Sequence, residues 1–277
     1  MSSEFHHSAG RDVRLVAIDL DGTLLNDRKE VTDETAGSLA AAVARGVKIV
    51  IASARPPRSV RAIYQKLRLD TWQINYNGAM IWDEPADAVV GHTPMDCELV
   101  RRIIEVARTL HPAVLVTCEV TDRAHTDRDD QTYTTETGRL FPPEVIAPLS
   151  VFCNQPITKL MLLAHPREIP RLVDAIQQGF DGQIALVSTD PNLIQIVHPA
   201  ASKGAALATV AAHYGIAMAE VMAIGDAAND VPMLEAAGIS VATDNASEVV
   251  KNVADWVAPT NNDHGVCAAL RRYGVCD

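Results

Sequence analysis

Aromatic side chains are scarce in this 277-residue chain, at 4% of the sequence. A core with so few of them must be assembled mainly from Ala, Val, Leu and Ile. The 48% apolar and 21% charged content is the balance of a globular enzyme, not of a disordered tail. Positive charge is also short: the net charge is −11, and only six of the 24 basic residues are lysines. That balance argues against nucleic acid or an anionic membrane as partner, although a bound divalent ion and a few local cations can reverse the sign at one site. The five cysteines (Cys97, Cys118, Cys153, Cys267, Cys276) are odd in number and form no C-x-x-C pair, so they read as reduced thiols of a cytoplasmic protein. No apolar run reaches the ~18 residues of a membrane span, and there is no internal repeat or low-complexity tract. Residues 1–10 are polar without a signal-peptide core and read as a disordered start or a cloning remnant outside the fold.

What is present is an alternation of strand and helix patterns, which implies an α/β fold with a mainly parallel sheet covered on both faces. Val13–Ile18 and Val47–Ala52 read as buried strands, with helices over Asp33–Arg45 and Pro57–Leu69. Trp72–Tyr76 is extended, Asn77-Gly78 is a turn, and Ala79–Trp82 returns as a hairpin strand. The character shifts near Asp83–Asp87. A helix Cys97–Leu110, a strand Ala113–Val120, a polar stretch Thr121–Gly138, a strand Ile157–Ala164, a helix Glu168–Gln178 and a strand Gln183–Ser188 suggest an inserted α+β domain. Alternation resumes with Leu193–Val197, Ser202–Tyr214, Val221–Ile224, Asn229–Ala237, Ile239–Ala242, Ala246–Asn252 and a last helix from His264. The expected division is a core over 11–83 and 189–277 with an inserted domain over 84–188.

Four loops of that pattern carry reactive groups, and in a parallel sheet they open on one edge. Asp19-Leu20-Asp21-Gly22-Thr23 follows the first strand. Side chains two apart on an extended chain point the same way, so two carboxylates are brought together and either share a cation or a proton. That suits Mg²⁺-assisted chemistry with one acid as nucleophile and the other as proton carrier. Ser53 ends the second strand just before a helix, where backbone N–H groups and a hydroxyl make a phosphate cradle. Ser202-Lys203-Gly204 puts an ammonium at a helix N-terminus, unfavourable unless an anion sits nearby. Gly225-Asp226-Ala227-Ala228-Asn229-Asp230 offers oxygen ligands of the kind Mg²⁺ prefers. Each alone is also what an ordinary turn or solvated loop carries; their order and shared position join them.

D-x-D-G-T at Asp19–Thr23, then Ser53, Lys203 and G-D-x-x-N-D at Gly225–Asp230, resembles the four-motif signature of the haloacid dehalogenase superfamily of phosphohydrolases. The inserted block, Asn77-Gly78-Ala79 before it and Asp263-His264-Gly265-Val266 near the end resemble the Cof-like branch with its large α+β cap (type IIB). The likeness runs from about Val13 to Leu270 and implies a Rossmann-like three-layer parallel-sheet core. It further implies Asp19 as the nucleophile forming an aspartyl-phosphate and Asp21 as acid and base. Mg²⁺ would be held by Asp19, the Asp21 carbonyl and Asp226, with Asp230 as a further ligand or as a residue that orients the others. Ser53, Ala54 and Lys203 would hold the phosphoryl group, with Asn229 as a further contact to the phosphate or to Lys203. The second motif commonly runs Thr-Gly-Arg; here it is Ser53-Ala54-Arg55, which keeps the hydroxyl but adds a Cβ. Arg55, the cap residue Lys159 and, with less reason, Arg123, His125 and Arg128 are candidate substrate contacts. The function implied is a Mg²⁺-dependent phosphatase of a small phosphorylated metabolite, foremost a sugar phosphate, in a monomer or homodimer. A hexose phosphomutase or other phosphotransferase with the same nucleophile is the alternative, and a non-catalytic phospholigand-binding protein a third.

Overall fold

The structure is a computed structural model and describes residues 12–130, 132–133, 136–187 and 191–277. The polar start at 1–10 and the boundary expected at 188–189 lie outside the described residues. In chain order the elements are β1 (Leu15–Ile18), α1 (Asp33–Ala44), β2 (Lys48–Ile51), α2 (Pro57–Leu67), β3 (Trp72–Asn75), β4 (Met80–Asp83) and β5 (Ala88–His92). There follow α3 (Cys97–Leu110), β6 (Leu115–Val120), β7 (Arg123–Thr126), α4 (Glu136–Leu140), β8 (Val145–Ile146), α5 (Leu149–Phe152), β9 (Lys159–Leu163), α6 (Ile169–Gly179) and β10 (Ala185–Val187). The last are β11 (Leu193–Val197), α7 (Lys203–His213), β12 (Val221–Gly225), α8 (Val231–Ala236), β13 (Ile239–Thr243), α9 (Glu248–Lys251), β14 (Trp256–Ala258) and α10 (Gly265–Arg272). The described residues form two compact units, one within 12–51 and 207–277 and one within 52–206. No helix among the described residues is long and apolar enough to cross a membrane.

The first unit holds a five-stranded parallel sheet in the order β14-β13-β12-β1-β2. Leu15, Val16, Ala17 and Ile18 are all fully buried, as are Val221–Ile224, so side chains pointing to both faces are covered, as a parallel sheet requires. Ile18 lies in register with Ile51 on one side and Ile224 on the other. The chain leaves β1 toward β2 in one direction and lays β12, β13 and β14 in the other. The strand order therefore reverses beside β1, and open α/β sheets bind their ligands at the carboxyl end of such a point.

The second unit is built on a six-stranded mixed sheet, β10-β11-β9-β6-β7-β8, antiparallel except for β7 with β8. Period-two alternation divides β9 cleanly. Leu160 and Leu162 join Val100, Ile103 and Ile104 of α3 and Leu172 and Ile176 of α6 in one core. Met161 and Leu163 join Leu115 and Leu193 in another. A separate antiparallel sheet, β3-β4-β5, turns through Tyr76–Gly78, where Tyr76, Asn77 and Gly78 all have positive φ. The polar stretch Thr121–Gly138 contains a strand, β7, that its composition does not announce. Its pairing comes from β6 through a turn with Thr121 at φ 52°, and it buries His125 with the imidazole ring 5.4 Å from that of Phe152. Strands β5, β8 and β14 are likewise short pieces whose partners, not their own patterns, make them strands.

Candidate active site

In the first unit, Asp19 follows β1 directly. Its N–H donates to the Ile224 carbonyl at 3.0 Å, so the strand ladder carries on to the acid itself, which is buried. The chain then turns through Gly22 at φ 85°, where any Cβ would collide with the Asp226 carboxylate; glycine is needed both for the backbone and for the room. Thr23 donates its hydroxyl to Asp226 Oδ1 at 2.7 Å. Asp230, fully buried, accepts the N–H groups of Asp226 and Ala227 at 3.0 Å through Oδ2. One carboxylate oxygen from each of Asp19, Asp226 and Asp230 lies within 4.8 Å of the other two. Like charges drawn together out of water are costly unless a cation compensates them, and an all-oxygen donor set suits a hard divalent ion. The residues present therefore fit such an ion.

Asp21 does not join that cluster. Its carboxylate accepts from Lys29 Nζ at 2.7 Å in a half-exposed ion pair. The Gly22 carbonyl that follows Asp21 is held from the end of β13, by Asn245 Nδ2 at 2.8 Å and Thr243 Oγ1 at 3.4 Å. Asn261 in turn ties the Asn245 side chain and the Leu25 carbonyl. Thr23 belongs to the Asp19–Thr23 motif, but Thr243, Asn245 and Asn261 were not legible as site residues. Their partners are up to 236 positions away, and nothing short of the fold announces them.

In the second unit, Ser53 is buried. Its N–H donates to the Ile74 carbonyl, its hydroxyl accepts the Arg55 N–H at 3.1 Å, and its carbonyl accepts the Asn77 N–H at 3.1 Å. The Tyr76 N–H and the Asn75 side-chain amide both donate to the Arg55 carbonyl, so the 53–55 loop is strung against β3 and its turn. Lys203 is fully buried at the start of α7, where Ser202 Oγ accepts the Ala205 N–H. Gly78, at φ 93°, packs so closely on the Ser202 carbonyl that a Cβ would overlap it. The Asn77-Gly78 turn is thus the piece against which the Ser53 and Lys203 loops are both set.

Lys159 is 4% exposed; its ammonium donates to Gln195 Oε1 at 3.1 Å and the Ala54 carbonyl at 3.4 Å, and lies 5.1 Å from the centre of the Tyr76 ring. Burial pulls its pKa down to about 8, against the opposing pull of Glu119. Glu119, in register with Lys159 across β6 and β9, accepts from Arg58 at 2.8 Å and from the Tyr76 hydroxyl at 3.2 Å. Arg58 also donates to Asp122 through both its backbone N–H and its guanidinium. Burial raises the Asp122 pKa, and burial together with Glu119 raises that of Tyr76 well above its usual value. Asn229 is half-buried in a short 3₁₀ turn over Ala228–Asp230, in the first unit. Arg123 pairs with Glu144, and Arg128 with Asp130.

A sequence model of the haloacid dehalogenase-like hydrolases matches residues 16–270. The chain belongs to that family. Among its relatives is YxeH of Bacillus subtilis, 32% identical over 265 residues, which cover 93% of this chain and 97% of that one. The 5-amino-6-(5-phospho-D-ribitylamino)uracil phosphatase YcsE of the same organism is 28% identical over 263 residues, 95% of this chain and 96% of YcsE. A haloacid dehalogenase-like hydrolase from Bacteroides thetaiotaomicron superposes with a TM-score of 0.84 at 26% identity, covering 94% of this chain and 99% of its own. This haloacid dehalogenase-like protein is a catalytic phosphatase with the inserted mixed-sheet cap of the Cof-like type.

Proposed function

We propose that this haloacid dehalogenase-like enzyme is a Mg²⁺-dependent cytoplasmic phosphatase whose substrate is a phosphorylated sugar or related polyol. The observation that carries the reading is the convergence of Asp19, Asp226 and Asp230 at the end of the parallel sheet, with Asp21 held apart on Lys29. Mg²⁺, held by Asp19, the Asp21 carbonyl, Asp226 and Asp230, would offset the charge of the phosphoryl oxygens. Asp19 attacks phosphorus, forming an aspartyl-phosphate as the bond to the leaving oxygen breaks. Asp21 delivers a proton to that oxygen and then takes one from the water that hydrolyses the intermediate. Ser53, the Ala54 backbone and Lys203 hold the phosphoryl oxygens, where charge spreads in a loose transition state, and Asn229 adds a contact. Arg55 and Lys159 face the substrate, and the inserted block over 84–188 selects what is bound to the phosphate. The polyol chain in the name of the YcsE substrate supports the substrate class, and the five free thiols support a reducing compartment.

The test is phosphate release from a panel of sugar, polyol and cofactor phosphates by purified protein with Mg²⁺. Release confined to sugar and polyol phosphates, lost with chelator and with Asp19→Asn, is the expected result. Activity that survives Asp19→Asn rules out the mechanism. An isomerised phosphate ester without free phosphate makes the enzyme a mutase.

A further inference from the structure

A second group of metal-ligating side chains lies in the first unit, where α1 packs on α10, and the phosphatase chemistry makes no use of it. One donor atom from each of Glu34, His264 and Cys267 lies within 4.8 Å of the other two. His264 caps α10, and Cys267 is three positions on, so both project from one face of that helix. Glu34 comes from the first turn of α1. We infer that Glu34, His264 and Cys267 form a binding site for a thiophilic divalent cation such as Zn²⁺, distinct from the all-oxygen cluster of Asp19, Asp226 and Asp230.

The hydrogen bonds around the three residues are those of an oriented metal site. The carboxylate of Glu34 is divided: Oε1 accepts from Arg271 at 3.1 Å, while Oε2 faces His264 Nε2 at 3.5 Å. Bonds of about 2.0–2.3 Å around a tetrahedral Zn²⁺ put donor atoms roughly 3.3–3.7 Å apart, and the Oε2–Nε2 spacing already matches. The other ring nitrogen, Nδ1, lies 3.4 Å from Thr32 Oγ1; that hydroxyl is 2.9 Å from Thr35 Oγ1, itself 3.4 Å from Cys267 Sγ. This chain of hydroxyls has two self-consistent polarities. In one, the Cys267 thiol donates to Thr35, Thr35 to Thr32, Thr32 to Nδ1, and Nε2–H points at Glu34. In the other, Nδ1–H donates to Thr32, Thr32 to Thr35, and Thr35 to a Cys267 thiolate, which leaves Nε2, Oε2 and Sγ all as electron-pair donors. The second is the metal-bound form. Passing to it moves the imidazole proton from Nε2 to Nδ1 and releases the thiol proton to solvent, one proton for each cation bound. Sulfur, imidazole and carboxylate together favour Zn²⁺ or Co²⁺ over Mg²⁺. Cys267 is fully buried, whereas the side chains of Glu34 and His264 are 45% and 38% exposed, so a water completes the coordination from the solvent side. His264 sits at φ 59°, a conformation histidine adopts more readily than most residues. The cation would tie α1 to α10 and stabilise the folded state in proportion to its occupancy.

The experiment is a Co²⁺ titration of chelator-treated, dialysed full-length protein with Mg²⁺ in excess. A thiolate-to-cobalt charge-transfer band in the near-ultraviolet, saturating at one equivalent with release of about one proton, is expected; an oxygen-only centre cannot produce that band. Cys267→Ser keeps a donor to Thr35, and His264→Asn keeps a residue that tolerates positive φ, so both variants retain the fold, checked by circular dichroism and phosphate release. Each should lose the band and bind Co²⁺ at least about tenfold more weakly. Absence of the band in the parent protein, or its persistence in either variant, overturns the site.

Discussion

The two units of the chain bury their charges in opposite ways. In the first, three side chains of one sign, Asp19, Asp226 and Asp230, converge within 4.8 Å. In the second, opposite charges alternate: Arg58 lies between Glu119 and Asp122, and Lys159 sits across the sheet from Glu119, with the Tyr76 hydroxyl closing the network. Alternating charges satisfy one another and specify an arrangement of strands. Converging like charges are rewarded only when something of opposite sign arrives. Burial of charge alone does not mark a ligand site; the sign pattern does.

The largest effect that tests this contrast is at Asp19. Asp19→Asn should lower phosphate release by at least ~10³-fold, yet leave the thermal midpoint unchanged or higher, because it removes one of three like charges. A large loss of stability would mean that the acidic cluster is structural, like its counterpart. Glu119→Ala should do the reverse. Removing one partner of a buried ionic network destabilises by roughly 3–5 kcal/mol, to be read from denaturant midpoints; a change below about 1 kcal/mol would show that the network is not what holds β6 and α2 in place.

Lys159 offers a pH test within the same network. Its folded pKa is about 8 against 10.5 for a free lysine. Below pH ~8 both states carry the proton, and the folded state bears the full cost of a buried ammonium. Between pH 8 and 10.5 the unfolded chain holds more protons, so stability rises with pH. The wild-type protein should therefore gain up to about 3 kcal/mol relative to Lys159→Met across that window, measured as the difference between their unfolding free energies. A pH-independent difference would place the ammonium in a solvated setting. The smallest effect is expected at Lys29, whose pair with Asp21 is half-exposed; Lys29→Ala should change stability by less than about 1 kcal/mol.

Much of the fold was legible because the signal is local. Unbroken apolar runs such as Val221–Ile224 mark strands covered on both faces, and the acids directly after them fall at the sheet's carboxyl edge wherever the strands are parallel. Asp19, Asp226 and Asp230 could be grouped for that reason. Asp21 shows where such reasoning stops: two acids at i and i+2 were expected to act on each other, but the turn at Gly22 and the ammonium of Lys29 give Asp21 a different partner. The Arg123–Thr126 strand shows the same limit, since its pairing comes from β6 and not from its own pattern.

By itself, then, the sequence determined the strand–helix alternation, the strand-end acids and the family to which they belong, because periodicity and motif spacing act over a few residues. Only the tertiary structure decided that the Asn77-Gly78 turn seats both the Ser53 loop and the start of α7, that Thr23 and Asp226 are hydrogen-bonded, and that Glu119 balances Arg58. Those contacts join residues 24 to 203 positions apart. Their partners are chosen by how packed elements meet, which no short window of sequence contains.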